Sequence, residues 1–275
     1  MNFRWLAVFA KYASLVVGSL VVSIPLIALF IAALKTSEEM ARTAPFDPPS
    51  NWFNFDNFLM AFEKANMLQG LINTSIILFF SLIGTILLGT VTAYILDRFD
   101  FTGRKLVMWA FLAAALVPGV TTQVATFQIV NALGLFNTIW AAIALFLGTD
   151  IIAIYIFIQF MASIPKSLDE AARLDGASTV RIFWSVILPN LRPAIATVAI
   201  IKGLAIYNEF YIPFLYMPDR DLGVISTALF RFRGPYSASW ELIAAGTILV
   251  IIPSLVLFLV LQRYIYGGLA AGAVK

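Results

Sequence analysis

The sequence predicts an all-α membrane protein with six spans, and three observations carry that prediction. Apolar residues make up 61% of the chain against 12% charged, a balance unsuited to a soluble domain, with a mean hydropathy of +0.92. The apolar residues fall in runs long enough to cross a bilayer. One long polar interruption, Ile164 to Pro193, stands late in the chain. The 275 residues hold no cysteine and no histidine. Disulfides, zinc sites built on those residues and an imidazole general base are thereby excluded.

The first span is expected at about residues 12–34, roughly 34 Å of helix. It is too long and too far from the terminus for a cleaved signal, and no convincing small-residue cleavage site precedes the polar segment. An outer segment follows at 36–68. Asp47-Pro48-Pro49-Ser50-Asn51-Trp52 reads as a turn there, and Asp56–Lys64 as a short amphipathic helix. This segment is too small for a core of its own. It either caps the bundle and touches an extracytoplasmic partner, or lies at the membrane interface anchored by Trp52, Phe53 and Phe55.

The second span is expected at about 70–96, where Ser81, Gly84, Thr85 and Gly89 read as packing residues. The third, about 106–130, is interrupted at Pro118-Gly119. The fourth is about 139–161, the fifth about 194–216 and the sixth about 242–262. Lysine and arginine orient the bundle. With the amino terminus inside, eleven fall in inner segments and six in outer ones, with Lys202 inside span five. The bias favours both termini in the cytoplasm.

That orientation also places the polar interruption, residues 163–193, inside. Ser167 and Glu170 have capping-box spacing directly after Pro165. The spacing predicts a helix from Ser167 to about Leu174. Asp175-Gly176 supplies the turn, since glycine tolerates a left-handed backbone. Ser178 can cap a second short helix, which Pro189 should end. The product is a protruding knob. Ala171 and Ala172 let a partner approach closely, and Glu170 and Arg173 charge its edge.

At these residues the chain resembles a known family. Glu170-Ala171-Ala172, three residues, Gly176, nine residues and Val186-Ile187-Leu188-Pro189 resemble the EAA loop of permease subunits in ATP-binding-cassette (ABC) importers. Val186 stands where that pattern usually has Ile. Ile164-Pro165, Asp175-Gly176-Ala177-Ser178 and Pro193 narrow the resemblance to the carbohydrate class, specifically the smaller permease of maltose and oligosaccharide transporters. Leu116-Val117-Pro118-Gly119 with Leu133–Thr138 resembles that family's third span and outer turn. Tyr207-Asn208-Glu209-Phe210-Tyr211-Ile212-Pro213-Phe214 resembles its Trp-Asn-Glu-Phe-x-x-Pro-Leu segment, with Tyr for Trp and Phe for Leu. The ending Gly272-Ala273-Val274-Lys275 is similar too. The resemblance runs from span two to the end.

It implies a type I importer permease, one domain over residues 1–275, in the inner membrane of a bacterium. A second, homologous permease, a cytoplasmic ATPase dimer and an extracytoplasmic solute-binding protein are the implied partners, with membrane lipid around the spans. Transport would be by alternating access, with the loop as the coupling helix. Ser167, Glu170, Ala171, Ala172, Asp175 and Gly176 would then contact or shape the contact with the ATPase.

Polar groups within spans are candidates for the translocation path: Thr122, Gln123 and Thr126, beside Thr121 and Gln128, and Asn208 and Glu209 on span five. Packing glue is an equally good reading of them. Lys202 and Glu209 lie seven residues apart, roughly 10 Å along a helix, so each is expected to find another partner; Asp150 poses the same question. An ionised group at mid-membrane costs about 2.5–3.5 kcal/mol and should face protein or water.

No Walker-type phosphate loop is present, so ATP hydrolysis is expected of a separate subunit. No cofactor fingerprint, nucleophile–base set or nucleic-acid stripe appears. Two other readings are open. One is the same architecture importing glycerol phosphate or a polyamine. The other is an ion-coupled secondary transporter using Lys202, Glu209 and Asp150; it predicts an inverted repeat, none is evident, and it leaves the loop unexplained.

Overall fold

The computed structural model describes residues 3–148, 150–232 and 238–273, so Val274 and Lys275 of the sequence reading, and Arg233 among the six outer basic residues, lie outside the described residues. The helices are α1 (Phe3–Leu34), α2 (Ser37–Arg42), α3 (Asp56–Lys64), α4 (Met67–Arg98), α5 (Arg104–Ala115), α6 (Gln123–Ala132), α7 (Ile139–Leu147), α8 (Ile151–Ala162), α9 (Ser167–Leu174), α10 (Thr179–Ile182), α11 (Leu188–Asn190), α12 (Arg192–Asn208), α13 (Tyr211–Tyr216), α14 (Ile225–Ala228) and α15 (Trp240–Ala273). There is no β-strand among the described residues.

Three helical stretches are long and apolar enough to cross a membrane: Val8–Leu34, Met67–Arg98 and Trp240–Val260. Two further pairs pass together but are bent, Ile139–Leu147 with Ile151–Ala162 by 43° and Thr179–Asn190 with Arg192–Asn208 by 71°. The expected continuous fourth span is therefore broken. Its break has a local cause: Asp150 caps α8, its carboxylate accepting from the Ala153 amide at 3.0 Å. The expected third span is split into α5 and α6, with 116–122 between them. There the hydroxyls of Thr121 and Thr122 donate to the carbonyls of Pro118 and Gly119 at 2.7 and 3.1 Å, and the Thr121 amide also donates to Pro118 at 3.0 Å, so the break closes as a local turn. The expected fifth span ends α12 at Asn208 and resumes as α13.

The chain divides into two compact units. The first comprises Met1–Leu68 and Ala228–Pro253. Within it the segment after α1 folds back onto that helix's end. Asn57 donates to the carbonyls of Ala33 and Lys35, and Asn54 to that of Leu34. These are the carbonyls a helix end leaves without partners. Lys35 is 1% exposed, its ammonium donating to Thr43 Oγ1 at 2.9 Å and the Ala44 carbonyl at 2.7 Å. Thr36 and Glu39 form a reciprocal capping box on α2.

Hydrogen bonds from Ser50 and then Thr36 pull the Glu39 carboxyl from 4.5 down to about 2. A depressed carboxylate stabilises the fold fully above its unfolded value and loses that effect as pH falls through the folded one. Glu39→Gln is therefore expected to melt below the parent protein above pH 4.5, with the gap closing as pH is lowered toward 2. A gap that stays constant over that window would show that Glu39 acts by shape and not by charge.

The second unit comprises Gln69–Thr227 and Ser254–Lys275. One core cluster joins α4 (Ala93, Tyr94), α8 (Ala153, Phe157, Met161), the loop (Ile164, Ile182, Phe183, Ile187) and the start of α12 (Leu191, Ala194, Val198). A second joins Ile77 of α4 to Ala142, Ile143 and Phe146 of α7 and to Ile206, Met217 and Val224. The small residues of α4 allow both approaches. A Cβ at Gly84 would overlap Leu147, and one at Gly89 would lie 3.0 Å from the Phe157 ring. Ser81 and Thr85 are buried on the same helix.

Candidate functional site

The polar loop folds as a helix, a tight turn and a second helix. The first, α9, has the expected bounds, but its expected capping box does not form. Lys166 already has helical backbone and is the N-cap, with no side-chain cap, so Ser167 lies inside the helix. Carbonyls of Pro165 and Lys166 accept from the amides of Leu168 and Glu170 at 3.2 and 3.1 Å, leaving those amides no need of the Ser167 hydroxyl. At the other end Ala177 bonds to Ala172 at 2.9 Å and Gly176 to Arg173 at 3.0 Å, the double closure of a Schellman turn. Gly176 has φ +79°, a conformation that disfavours any side chain. Ser178 caps α10, accepting from the Arg181 amide at 3.3 Å. A π-helical turn, Phe183–Ile187, leads into α11, which outlasts Pro189 by one residue and ends at Asn190.

Helical period sorts the residues of α9. Ser167, Glu170, Ala171, Asp175 and Gly176 are exposed and Ala172 is half-buried against the core cluster. Leu174 is 89% exposed, and Val180 and Trp184 are exposed beside the turn. Apolar side chains left in the open around a charged edge suit a partner surface. Asp169, which the sequence reading did not single out, is the buried member of α9. Its position about 100° round the helix from Glu170 was the available signal.

The residues expected on the translocation path make local side-chain bonds. The Thr126 hydroxyl donates to the Thr122 carbonyl at 3.0 Å, and Asn208 to the Leu204 carbonyl at 2.9 Å. Thr122 and Asn208 are exposed, while Gln123, Thr126 and Glu209 are half-buried. The Glu209 carboxylate accepts from the amides of Tyr211 and Ile212 at 2.8 and 3.3 Å, so it starts α13. Lys202 and Asp150 answer each other: Nζ and Oδ2 are 2.7 Å apart. Among the described residues no cluster of acidic side chains could hold a metal ion.

Residues 85–269 match the family described as binding-protein-dependent transport system inner membrane component. The chain is 33% identical over 256 residues to the melibiose/raffinose/stachyose import permease protein MelC of Bacillus subtilis (strain 168), covering 92% of this chain and 91% of that protein. It is 30% identical over 268 residues to the diacetylchitobiose uptake system permease protein NgcG of Streptomyces coelicolor, covering 96% and 88%. The fold matches a chain in the crystal structure of a bacterial ABC transporter involved in the import of the acidic polysaccharide alginate. The TM-score is 0.82 at 18% identity, over 96% of this chain and 99% of that one. A second structure, of bacterial alginate ABC transporter in complex with alginate pentasaccharide-bound periplasmic protein, matches with TM-score 0.67 at 20% identity over 94% and 93%. The chain belongs to the family of binding-protein-dependent transport system inner membrane components, the membrane permeases of ABC importers.

Proposed function

We propose that this permease carries a sugar or oligosaccharide across the cytoplasmic membrane by alternating access, driven by a separate ATPase dimer that grips the α9 knob. The observation that carries the coupling is the sorting of α9. Glu170 and Ala171 stand exposed on a helix whose Asp169 and Ala172 face the core. The sugar class is supported by relatives named for melibiose, raffinose, stachyose and diacetylchitobiose.

The chain acts as one permease domain of six spans, with both termini and the EAA loop in the cytoplasm. A second permease completes the path and an extracytoplasmic binding protein delivers the sugar. Ser167 and Gly176 shape the knob. Glu170 and Asp175 meet basic groups of the ATPase through charge-assisted bonds, with Ala171 and Ala172 allowing close approach. Thr122, Gln123, Thr126, Asn208 and Glu209 line the path. The ATPase can shift the permease only by binding its two states unequally.

The test is an affinity pull-down from solubilised membranes with the parent chain and with Glu170→Ala. The parent should recover an ATPase and a second permease. The variant should insert normally and hold the ATPase roughly tenfold or more weakly, as expected for losing a charged hydrogen bond. A parent chain that comes out alone under gentle detergent, and still transports when reconstituted alone, would overturn the importer reading in favour of a secondary transporter.

A further inference from the structure

We infer that Arg98 is a positioning residue that ties the end of α4 to the α9 knob, so that α4 moves with the knob. The inference rests on the coupling role proposed for α9. Arg98 is the last residue of α4, and its side chain is 4% exposed. Nη2 donates to the Ile164 carbonyl at 2.8 Å, just ahead of α9. Nε lies 3.0 Å from Asp169 Oδ2 within α9, and Nη1 donates to Asp97 Oδ2 at 2.8 Å. One turn back on α4, the Tyr94 ring packs on Phe183 at 5.4 Å between centroids. Phe183 opens the π turn in the second half of the loop. Thus α4 grips both halves of the loop.

The chain neighbours of the loop are α8 and α12, and Arg98 lies 66 residues from Ile164. A load on α9 therefore reaches α4 through this contact directly. The grip on Asp169 depends on charge. Both its carboxylate oxygens are buried without a hydrogen-bond partner, so proximity to the guanidinium, not an aligned bond, is what balances them. Removing Arg98 leaves two carboxylates together, with Asp169 6% and Asp97 14% exposed, an arrangement that disfavours both charges. A lysine keeps the balancing charge but loses the fork.

The test uses the reconstituted complex with its ATPase and partner permease, measuring transport per ATP hydrolysed and ATPase recovery in parallel. Arg98→Gln is expected to lower transport per ATP about tenfold, within the usual range of coupling effects, while the ATPase still binds. Arg98→Lys should keep most of it. Asp169→Asn should lose less than Arg98→Gln, and Arg98→Gln with Asp169→Asn should be no worse than Arg98→Gln alone. Unchanged coupling in Arg98→Gln, or losses that simply add in the double variant, would overturn the inference.

A second arm covers variants that fail to assemble. The chain has no cysteine, so Arg98→Cys with Asp169→Cys places a unique thiol pair. Bridging it with a short bifunctional thiol reagent should restore coupling. Continued uncoupling after bridging would show that tying α4 to α9 is not what carries coupling, and would overturn the inference. Absence of any ATPase from the parent complex would instead refute the coupling role of α9 itself, a separate and distinguishable failure.

Discussion

Asp150→Ala is expected to be among the most damaging single substitutions in this chain, because Asp150 does two things at once. Its Oδ2 lies 2.7 Å from the Lys202 ammonium, with the two side chains 16% and 20% exposed. Its Oδ1 caps α8 through the Ala153 amide. Alanine leaves unpaired an ammonium within the expected fifth span, which costs about 3 kcal/mol, and removes a cap that contributes about 1 kcal/mol. Asparagine caps about as well as aspartate, so Asp150→Asn separates the two effects and should lose only the first. Asp150→Asn combined with Lys202→Met removes both charges and should recover much of the loss, since replacing a whole buried pair costs far less than orphaning one member. Thermal unfolding of the assembled complex in detergent measures all three. If Asp150→Asn melts with the parent protein, water or another group must already neutralise Lys202, and the pair has no structural role.

The same pair shows where the sequence could be read and where it could not. Lys202, Glu209 and Asp150 stand out as charges in apolar runs, and the helical rise separates Lys202 from Glu209. Nothing local selects Asp150 as the partner, because the choice depends on how α8 packs against α12. Glu209 turned to its own chain and started α13. Helices with punctuation at their own ends were legible to the residue. Asp56–Lys64 is one, and Ser167–Leu174, closed by Asp175-Gly176, is another. The cap of α9 was not, because the backbone at Lys166 had already turned helical. Lys35 follows the first apolar run in sequence with nothing beside it to mark it as buried, yet it is enclosed, since its partners Thr43 and Ala44 are brought round by α2. In α9 the family pattern drew attention to Glu170. The helical period alone puts Asp169 on another face, but only the fold brings Arg98 beneath it.

Phe157→Ala should have the second large effect, and it tests whether the knob depends on the core below it. Phe157 is fully buried in the cluster that joins α4, α8, the loop and α12. Its ring lies over Gly89, where an added Cβ would sit 3.0 Å from two ring carbons. Truncation leaves a cavity that the neighbours cannot close without moving a helix. In soluble proteins such a change costs about 3–5 kcal/mol. In a bilayer the unfolded reference is itself apolar, so the transfer part shrinks and the lost contacts remain. We therefore expect about 3 kcal/mol, the low end of that range. Gly89→Ala pushes on the same ring from the other side. Combined with the smaller ring replacement Phe157→Leu, it should lose less than the two single variants summed, because each change relieves the other. Amide hydrogen exchange supplies the functional half of the test. Ile182, Phe183 and Ile187 of the loop share the cluster with Phe157, so Phe157→Ala should speed exchange in α9 and the π turn. Exchange there that stays at the parent rate while the unfolding midpoint falls would mean that the knob is held by its Arg98 contacts and not by this core.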